Sequence, residues 1–333
     1  MPFKARLTPS AREFEIADGT TILAAAASVQ LNLPHSCRDG SCGSCKSRLL
    51  KGQVTHQDDC EGITVEELSD GYMLTCVATV DSDIEFESDW YPELDGIKPA
   101  IFPCKVDSIR FPAQDIALVR LRLPADSGFN YLPGQYIDLI WKGLRRSYSI
   151  ANALKQGSGL ELHIRQVEQG EFSELVFRQM KAGALLRLDG PHGTFFVRDS
   201  DAPIIFLAGG TGFAPIKAMI ERLLEQNSAR AMHLYWGVSR VDHLYSELPE
   251  EWQNNHPNFS YSAVVSGEDT NWSGRRGLVH QAVLDDHDDL QSFEVYACGS
   301  PDMIKTARNE FLQKGLQAAH FYSDAFTAHK PKN

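Results

Sequence analysis

Apolar and polar positions change rhythm twice along the chain. Between residues 99 and 200 they alternate over short runs, at Cys104–Ile109, Ile116–Leu123, Tyr136–Leu139, Arg146–Ile150, Leu160–Gln166 and Leu185–Asp189. A period of two, rich in β-branched and aromatic residues, marks half-buried strands. The joins carry Pro133-Gly134 and Gly190-Pro191, so a small antiparallel β-barrel is expected. After Pro203 a short, uniformly apolar run, Ile204–Leu207, leads into Ala208-Gly209-Gly210-Thr211-Gly212 and then a helical pattern over Ala214–Glu225. Strand-like His233–Trp236, Ser260–Val265 and Glu294–Ala297 alternate with further helical stretches, among them Met303–Lys314. Alternating strand and helix predicts a parallel, doubly wound α/β sheet. Before residue 94 the chain has short strand-like runs, a helix-like stretch over Ile22–Leu31 and a cysteine-bearing loop, which together predict a small α+β domain. A turn-rich connector, Trp90 to Gly96, and then Lys98-Pro99 follow it. At roughly 150 residues per domain the length allows about two domains, or three small ones, and the rhythm gives three: 1–94, 99–200 and 201–333.

Charge sharpens this division. The net charge of −12 comes entirely from residues 51–95, which hold 13 Asp or Glu against Lys51 alone, while the remainder carries 31 acids and 31 bases. Such a balance argues against nucleic acid as a partner. It leaves an acidic module that is either a solvated face or a docking face for a basic partner protein. The longest apolar run near the start, Ile22–Val29, is far too short to span a bilayer, and no basic segment precedes a cleavable apolar one. The expectation is a soluble, cytoplasmic protein with no membrane partner.

Seven cysteines are present, an odd number, and three crowd into nine residues. In a cytosolic chain that favours metal ligation over disulfides. Cys37-x4-Cys42-x2-Cys45, with thirty residues between Cys45 and Cys76, has the spacing of a plant-type [2Fe–2S] site. Arg38, Asp39, Gly40, Ser41, Gly43 and Ser44 fill the loop, and the small ones let backbone N–H groups approach the sulfurs. A four-cysteine zinc site is the alternative, but such sites pair short knuckles and Cys76 has no close cysteine neighbour in sequence. Cys60 competes for the fourth position; the separation and strand-like setting of Leu74-Thr75-Cys76 favour Cys76. The first ninety-odd residues thus resemble a plant-type ferredoxin domain, which implies a β-grasp fold that moves one electron at a time.

Arg146-Ser147-Tyr148-Ser149 is the R-x-Y-S pattern of the ferredoxin–NADP reductase superfamily. Arg146 suits a flavin phosphate, Tyr148 an isoalloxazine or ribityl contact, and Ser149 a hydrogen bond near flavin N5. Ile164-Arg165-Gln166-Val167 resembles the next flavin-contacting strand, and Gly170-Glu171-Phe172-Ser173 resembles a short phosphate loop at a helix start. FAD rather than FMN is what this branch of the superfamily implies. Gly209-Gly210-Thr211-Gly212-Phe213-Ala214-Pro215 stands between a buried strand and a helix, where backbone amides approach a pyrophosphate. It is not a G-x-G-x-x-G fingerprint, and that departure points to the same superfamily. The resemblance puts Cys298 of Cys298-Gly299-Ser300-Pro301 beside the reacting nicotinamide, Phe326 over the flavin ring, and Asp324 in its hydrogen-bond network. Each has an ordinary alternative as a buried core residue. Ser239 and Arg240, after the second strand, are candidates for a 2′-phosphate, but Asp242 would repel one, so NADH is favoured over NADPH.

Taken whole, the chain resembles oxygenase-type reductases with an N-terminal [2Fe–2S] domain. Tyr91-Pro92-Glu93-Leu94, Pro103-Cys104-Lys105, Gly134-Gln135-Tyr136-Ile137-Asp138-Leu139 and Ser323-Asp324-Ala325-Phe326 bring it nearest to the branch serving deoxysugar dehydratases. None of these strings forms a sugar site. The resemblance implies an NAD(P)H-dependent oxidoreductase passing electrons through FAD and a [2Fe–2S] cluster to an acceptor protein, either a deoxysugar dehydratase or an oxygenase component. The contrasting reading is an electron carrier or zinc-stabilised interaction protein without turnover.

Overall fold

The computed structural model describes residues 2–56, 60–154, 159–268 and 272–326. Two of the thirteen acids of the acidic segment, Asp58 and Asp59, lie outside them. The chain forms two compact units, Met1–Lys98 and Pro99–Asn333.

The first unit is a five-stranded mixed sheet in the order Arg12–Ile16, Phe3–Thr8, Ile84–Glu87, Lys46–Lys51, Tyr72–Leu74. The N-terminal strand pairs antiparallel with Arg12–Ile16 and parallel with Ile84–Glu87. Alternation sets its faces: Ala5 and Leu7 are buried while Lys4 and Arg6 are exposed. Thr21 caps the helix Ile22–Ser28 by accepting from the Ala24 N–H at 3.3 Å. The helix is shorter than the expected Ile22–Leu31. Gln30 adopts a left-handed φ of 61° and the Leu31 and Gln30 N–H groups bond back to Ala26 and Ala27 carbonyls. That closure turns Leu31 and Leu33 into the core, and with Gln30 in the usual glycine place nothing in the local sequence announces it.

The second unit contains two sheets. The antiparallel one runs Leu144–Ser149, Tyr136–Trp141, Leu185–His192, Ala100–Ala113, Ile116–Arg122, Leu160–Arg165, and an Ile150–Leu162 bridge joins its first and last strands. The bridge brings the two end strands together at one point, and the curved sheet encloses Val106, Val119, Leu121, Ile137, Leu162 and Leu188. The expected barrel strands are all present, the first extended at both ends.

The other sheet is parallel throughout, in the order Arg275–Arg276, Phe259–Val265, Met232–Val238, Ile204–Gly209, Glu294–Gly299, Phe321–Ala325. Its central strand is apolar on both faces because helices cover both. Phe206 and Ala208 pack with Phe213, Ile216 and Ile220 of the helix Phe213–Glu225, whereas Ile205 and Leu207 pack with Val283, Ala307 and Phe311 of Val279–Asp286 and Pro301–Gln313. The order reverses between Ile204–Gly209 and Glu294–Gly299, and ligands of such sheets bind beyond the carboxyl ends at that switch point. Both strands end in glycine. Among the described residues, no helix is long and apolar enough to cross a membrane.

Candidate functional site

The cysteine loop brings four thiols into two close pairs. The Cys42 N–H donates to Cys37 Sγ at 3.4 Å and the Cys37 N–H to Cys42 Sγ at 3.5 Å, while Cys45 and Cys76 sulfurs stand 3.2 Å apart. The Ser44 N–H also points at Cys42 Sγ, at 3.5 Å. Arg38, Gly40 and Gly43 all take left-handed φ, and a Cβ on Gly43 would stand 2.8 Å from the Gly62 carbonyl oxygen, so the loop needs its glycines. Hydrogen bonds from Cys42 and Cys76 hold Cys37 far below the ordinary thiol range, and Cys76 lowers Cys45; the counterparts Cys42 and Cys76 are pushed up. Thiols this close compete for protons, the condition that favours thiolate ligation. Amide donors aimed at Cys37 and Cys42, with Cys76 beside Cys45, fit the amide-supported thiolates of a two-iron cluster. Cys60 packs against Gly40 instead, its sulfur 2.9 Å from where a Cβ there would stand.

On the barrel, strand alternation divides the R-x-Y-S segment. Arg146 and Tyr148 share one face, and Ser147 and Ser149 the other. The Tyr148 ring lies 5.8 Å from Phe172, and burial pushes its phenol up, so it stays a hydrogen-bond donor. Arg146 Nη1 donates to the Arg145 carbonyl at 2.7 Å, which bends the guanidinium back along its own strand. Ser149 is buried opposite Tyr136. On the neighbouring strand, the Ile164 side chain fills the barrel core and leaves only its backbone for a ligand, while Arg165 faces outward. Val167 is exposed; Ser173 Oγ accepts from the Val167 N–H at 3.1 Å and donates to the Gly170 carbonyl at 2.9 Å, so that hydroxyl shapes the turn. Gly170 starts the helix Glu171–Arg178 with no side-chain cap, leaving its first amides for an anion.

At the switch point the two glycine-bearing loops press together. A Cβ on Gly209 would stand 2.7 Å from Met303 Sδ, one on Gly299 2.7 Å from Met303 Cε, and one on Gly212 2.2 Å from the Cys298 carbonyl oxygen. Gly210–Gly212 forms a 3-10 turn with Thr211 buried in it, and Pro215 sits in the first turn of the following helix, where its missing N–H costs nothing. Cys298 pairs with Asp324 across parallel strands, and the Phe326 N–H donates to the Gly299 carbonyl at 2.9 Å. Burial first, and then the Asp324 charge, push the Cys298 thiol well above its usual range, so it is a neutral thiol. Cys298, Gly299, Asp324 and Phe326 therefore converge at one sheet end. Ser239 and Arg240 are exposed beyond the next strand, and Arg240 is held by Asp242 through Nε at 2.9 Å and Nη2 at 2.5 Å. The motifs did not signal Trp236, whose Nε1 donates to the Gly210 carbonyl at 2.9 Å while its ring stacks on Phe213 at 4.0 Å. Nor did they signal that the Arg165 guanidinium lies 3.9 Å from the Cβ position of Gly210, joining the barrel to this loop.

The packing at Gly212 gives a direct expectation. Gly212→Ala forces the two loops apart, which should destabilise the second unit by about 1–3 kcal/mol, the usual range for overpacking. A melting curve of the variant checks this, and an unchanged one would refute it.

Three family models match the chain in order: the 2Fe-2S iron–sulfur cluster binding domain at residues 5–81, the oxidoreductase FAD-binding domain at 103–197 and the oxidoreductase NAD-binding domain at 206–309. The chain is 49% identical over 331 residues to the CDP-6-deoxy-L-threo-D-glycero-4-hexulose-3-dehydrase reductase of Yersinia pseudotuberculosis, covering 99% of this chain and 100% of that one. It is 34% identical over 319 residues to reductase component 1 of the terephthalate 1,2-dioxygenase of a Comamonas species, with 94% of each covered. The crystal structure of a cytochrome P450 reductase from Amycolatopsis superposes with a TM-score of 0.81 at 28% identity, over 98% of this chain and 99% of that one. Three family models in this order, together with the full-length likeness, place the chain in the family of NAD(P)H-dependent iron–sulfur flavoprotein reductases.

Proposed function

We propose that the chain is the reductase partner of a CDP-6-deoxyhexulose dehydrase, acting as a CDP-6-deoxy-Δ-3,4-glucoseen reductase. The observation carrying this reading is the 49% identity along the full length to an enzyme of that name, against 34% to the dioxygenase component. The sugar would stay on the dehydrase, because none of the strings that carry the likeness forms a sugar site. In this reading the ferredoxin domain covers 1–94, the FAD barrel 99–200 and the nicotinamide domain 201–333. Seven free thiols fit a reducing, cytoplasmic setting.

A bound flavin supplies the conversion from two-electron to one-electron transfer that neither nicotinamide nor cluster makes alone. The chain's part is to hold and orient. Arg146 and the amides after Gly170 would hold the flavin phosphates, Tyr148 would pack against the flavin, and Ser149 would offer a hydrogen bond near N5. The loop Gly209–Gly212 would hold the nicotinamide pyrophosphate. Cys298, kept neutral by burial, Asp324 and Phe326 would line the reacting end. Arg240 is engaged by Asp242, which supports NADH over NADPH. The acidic segment supports a basic face on the acceptor, with an encounter that weakens as salt rises.

Anaerobic titration of the pure protein with NADH and then NADPH, read by visible absorbance and EPR, tests the relay. Flavin bleaching followed by a rhombic [2Fe–2S] signal, reached at lower NADH than NADPH, is the expected result. Mixing with a purified CDP-6-deoxyhexulose dehydrase and its substrate, or with a dioxygenase component, tests the acceptor. Turnover with the oxygenase alone would replace this reading by its rival.

A further inference from the structure

The strand Leu160–Arg165 sends alternate side chains in two directions. Leu160, Leu162 and Ile164 fill the barrel, while Glu161, His163 and Arg165 face the parallel-sheet half of the same unit. There they meet buried polar partners. Lys217 Nζ lies 3.2 Å from Glu161 Oε1, 2.7 Å from Glu221 Oε1 and 2.8 Å from the Ala151 carbonyl oxygen. Glu161 also takes His163 Nε2 at 3.1 Å, and His163 Nδ1 meets the Tyr245 hydroxyl at 2.9 Å. Burial holds His163 below its usual range and Tyr245 above its own, so both are neutral. Only one arrangement satisfies every group: Tyr245 donates to Nδ1, Nε2–H donates to Glu161, and Lys217 donates to both carboxylates and the carbonyl. Burial pushes Glu161 up, but His163 and Lys217 outweigh it and keep a carboxylate.

Place in the fold gives this network its meaning. Lys217 sits in the helix that begins directly after Gly209–Gly212, so moving the lysine moves that loop. Its anchor, Ala151, lies two residues beyond Ser149 and is tied to the same strand by its N–H bond to the Glu161 carbonyl at 2.8 Å. One side chain therefore joins the nicotinamide-side helix to the end of the R-x-Y-S segment. A second tie, Glu221 Oε2 accepting from the Ala153 N–H at 2.9 Å, runs from the next helical turn to the same segment. A salt-linked surface pair would not do this. Lys217 and Glu161 side chains are each 7% exposed, so rearranging them means burying unpaired charge.

We infer that Lys217 is a positioning residue for hydride transfer: it clamps the nicotinamide-binding loop to the flavin-binding strand end and so sets the gap between donor and acceptor. Reacting atoms must be held roughly 3–3.5 Å apart, and a misplacement of about 1 Å costs on the order of a hundredfold in rate. The inference rests on the proposed roles of Ser149 and Gly209–Gly212. The clamp adds no step to the reaction; it acts only on geometry.

Full-length holoenzyme carrying Lys217→Met or Lys217→Arg tests it. In Lys217→Met, the single-turnover rate of flavin bleaching by NADH should fall about 10- to 100-fold. Flavin content should be unchanged and KM for NADH should stay within about threefold, the pattern of an interaction lost in the transition state. Lys217→Arg, which can keep the charge and two of the contacts, should recover most of the rate. Hydrogen–deuterium exchange of the chain without added nicotinamide should show faster uptake at residues 149–153 and 209–217 in Lys217→Met but not in Lys217→Arg. Glu161 keeps Arg120 at 3.3 Å and His163 at 3.1 Å in Lys217→Met; should that variant still fold poorly, Lys217→Met with Glu161→Gln removes both charges and should show the same rate loss. Wild-type bleaching rates and uptake in the methionine variants, or a lowered melting temperature with an unchanged rate per bound flavin, overturn the clamp. A wild-type chain whose flavin NADH does not bleach would instead overturn the reading of the site, while the exchange comparison still decides the clamp.

Discussion

Cys76→Ser should abolish the rhombic EPR signal of the NADH-reduced protein while leaving flavin bleaching by NADH in place. Cys76 stands 3.2 Å from Cys45 and supplies half of one thiol pair, and a serine hydroxyl is a poor replacement for a thiolate on iron. As the proposed fourth ligand, Cys76 should cost on its loss more than the roughly 10- to 100-fold in metal affinity that an outer-shell partner is worth. Delivery of single electrons to a protein acceptor should drop by at least that factor, while reduction of ferricyanide, an acceptor that takes electrons at the flavin, persists. Cys60→Ser is the control and should leave the EPR signal intact, because Cys60 packs on Gly40 and stands outside the two thiol pairs. A retained signal in Cys76→Ser together with its loss in Cys60→Ser would reverse the ligand assignment.

Arg230→Met should be the most damaging single change to folding. The Arg230 guanidinium is buried at the base of the central parallel strands, donating to Glu294 Oε2 at 2.7 Å, to the Ala202 carbonyl at 2.7 Å and to the Arg198 carbonyl at 3.1 Å. Glu294 also accepts from the Tyr296 hydroxyl at 2.9 Å, and that hydroxyl in turn accepts from the Arg198 N–H at 2.8 Å. These bonds pin the connector from barrel to parallel sheet, residues 193–203, against the strand that carries Cys298. Removing the arginine leaves the Glu294 carboxylate, 5% exposed at its side chain, without its counter-charge. Breaking such a buried pair costs about 3–5 kcal/mol. For a unit of this size the melting transition should fall by on the order of 10 °C. Arg230→Met with Glu294→Met should recover much of the loss, since a buried pair replaced by apolar groups is often neutral. A urea melt of the three proteins separates these outcomes, and equal damage in the double variant would show that the carbonyl bonds, not the charge pair, carry the effect.

Much of the architecture was legible because it is written in local spacing. Period-two runs marked every strand of the barrel, and the apolar run Ile204–Leu207 before a glycine turn marked the central parallel strand. The four-residue gap between Cys37 and Cys42 and the two-residue gap to Cys45 are local spacings, which the order of residues shows directly. Other features were hidden for physical reasons. Gln30 takes a backbone shape that usually signals itself with glycine, so the helix end at Ser28 was invisible. Ile164 shares a motif with Arg165 but not a face, and only the closure of the barrel decides which one looks inward.

The sequence by itself determined the order of the modules, the thiol spacing and the presence of glycines where two loops and a ligand must crowd, because each depends on neighbours along the chain. Tertiary structure alone decided that Cys76 pairs with Cys45, that Gly212 abuts Cys298, and that Lys217 reaches Ala151 and Glu161 across the unit. These contacts join residues far apart in sequence, and no local period encodes them: they exist only once sheet order and barrel closure have brought separate strands and helices to the same place.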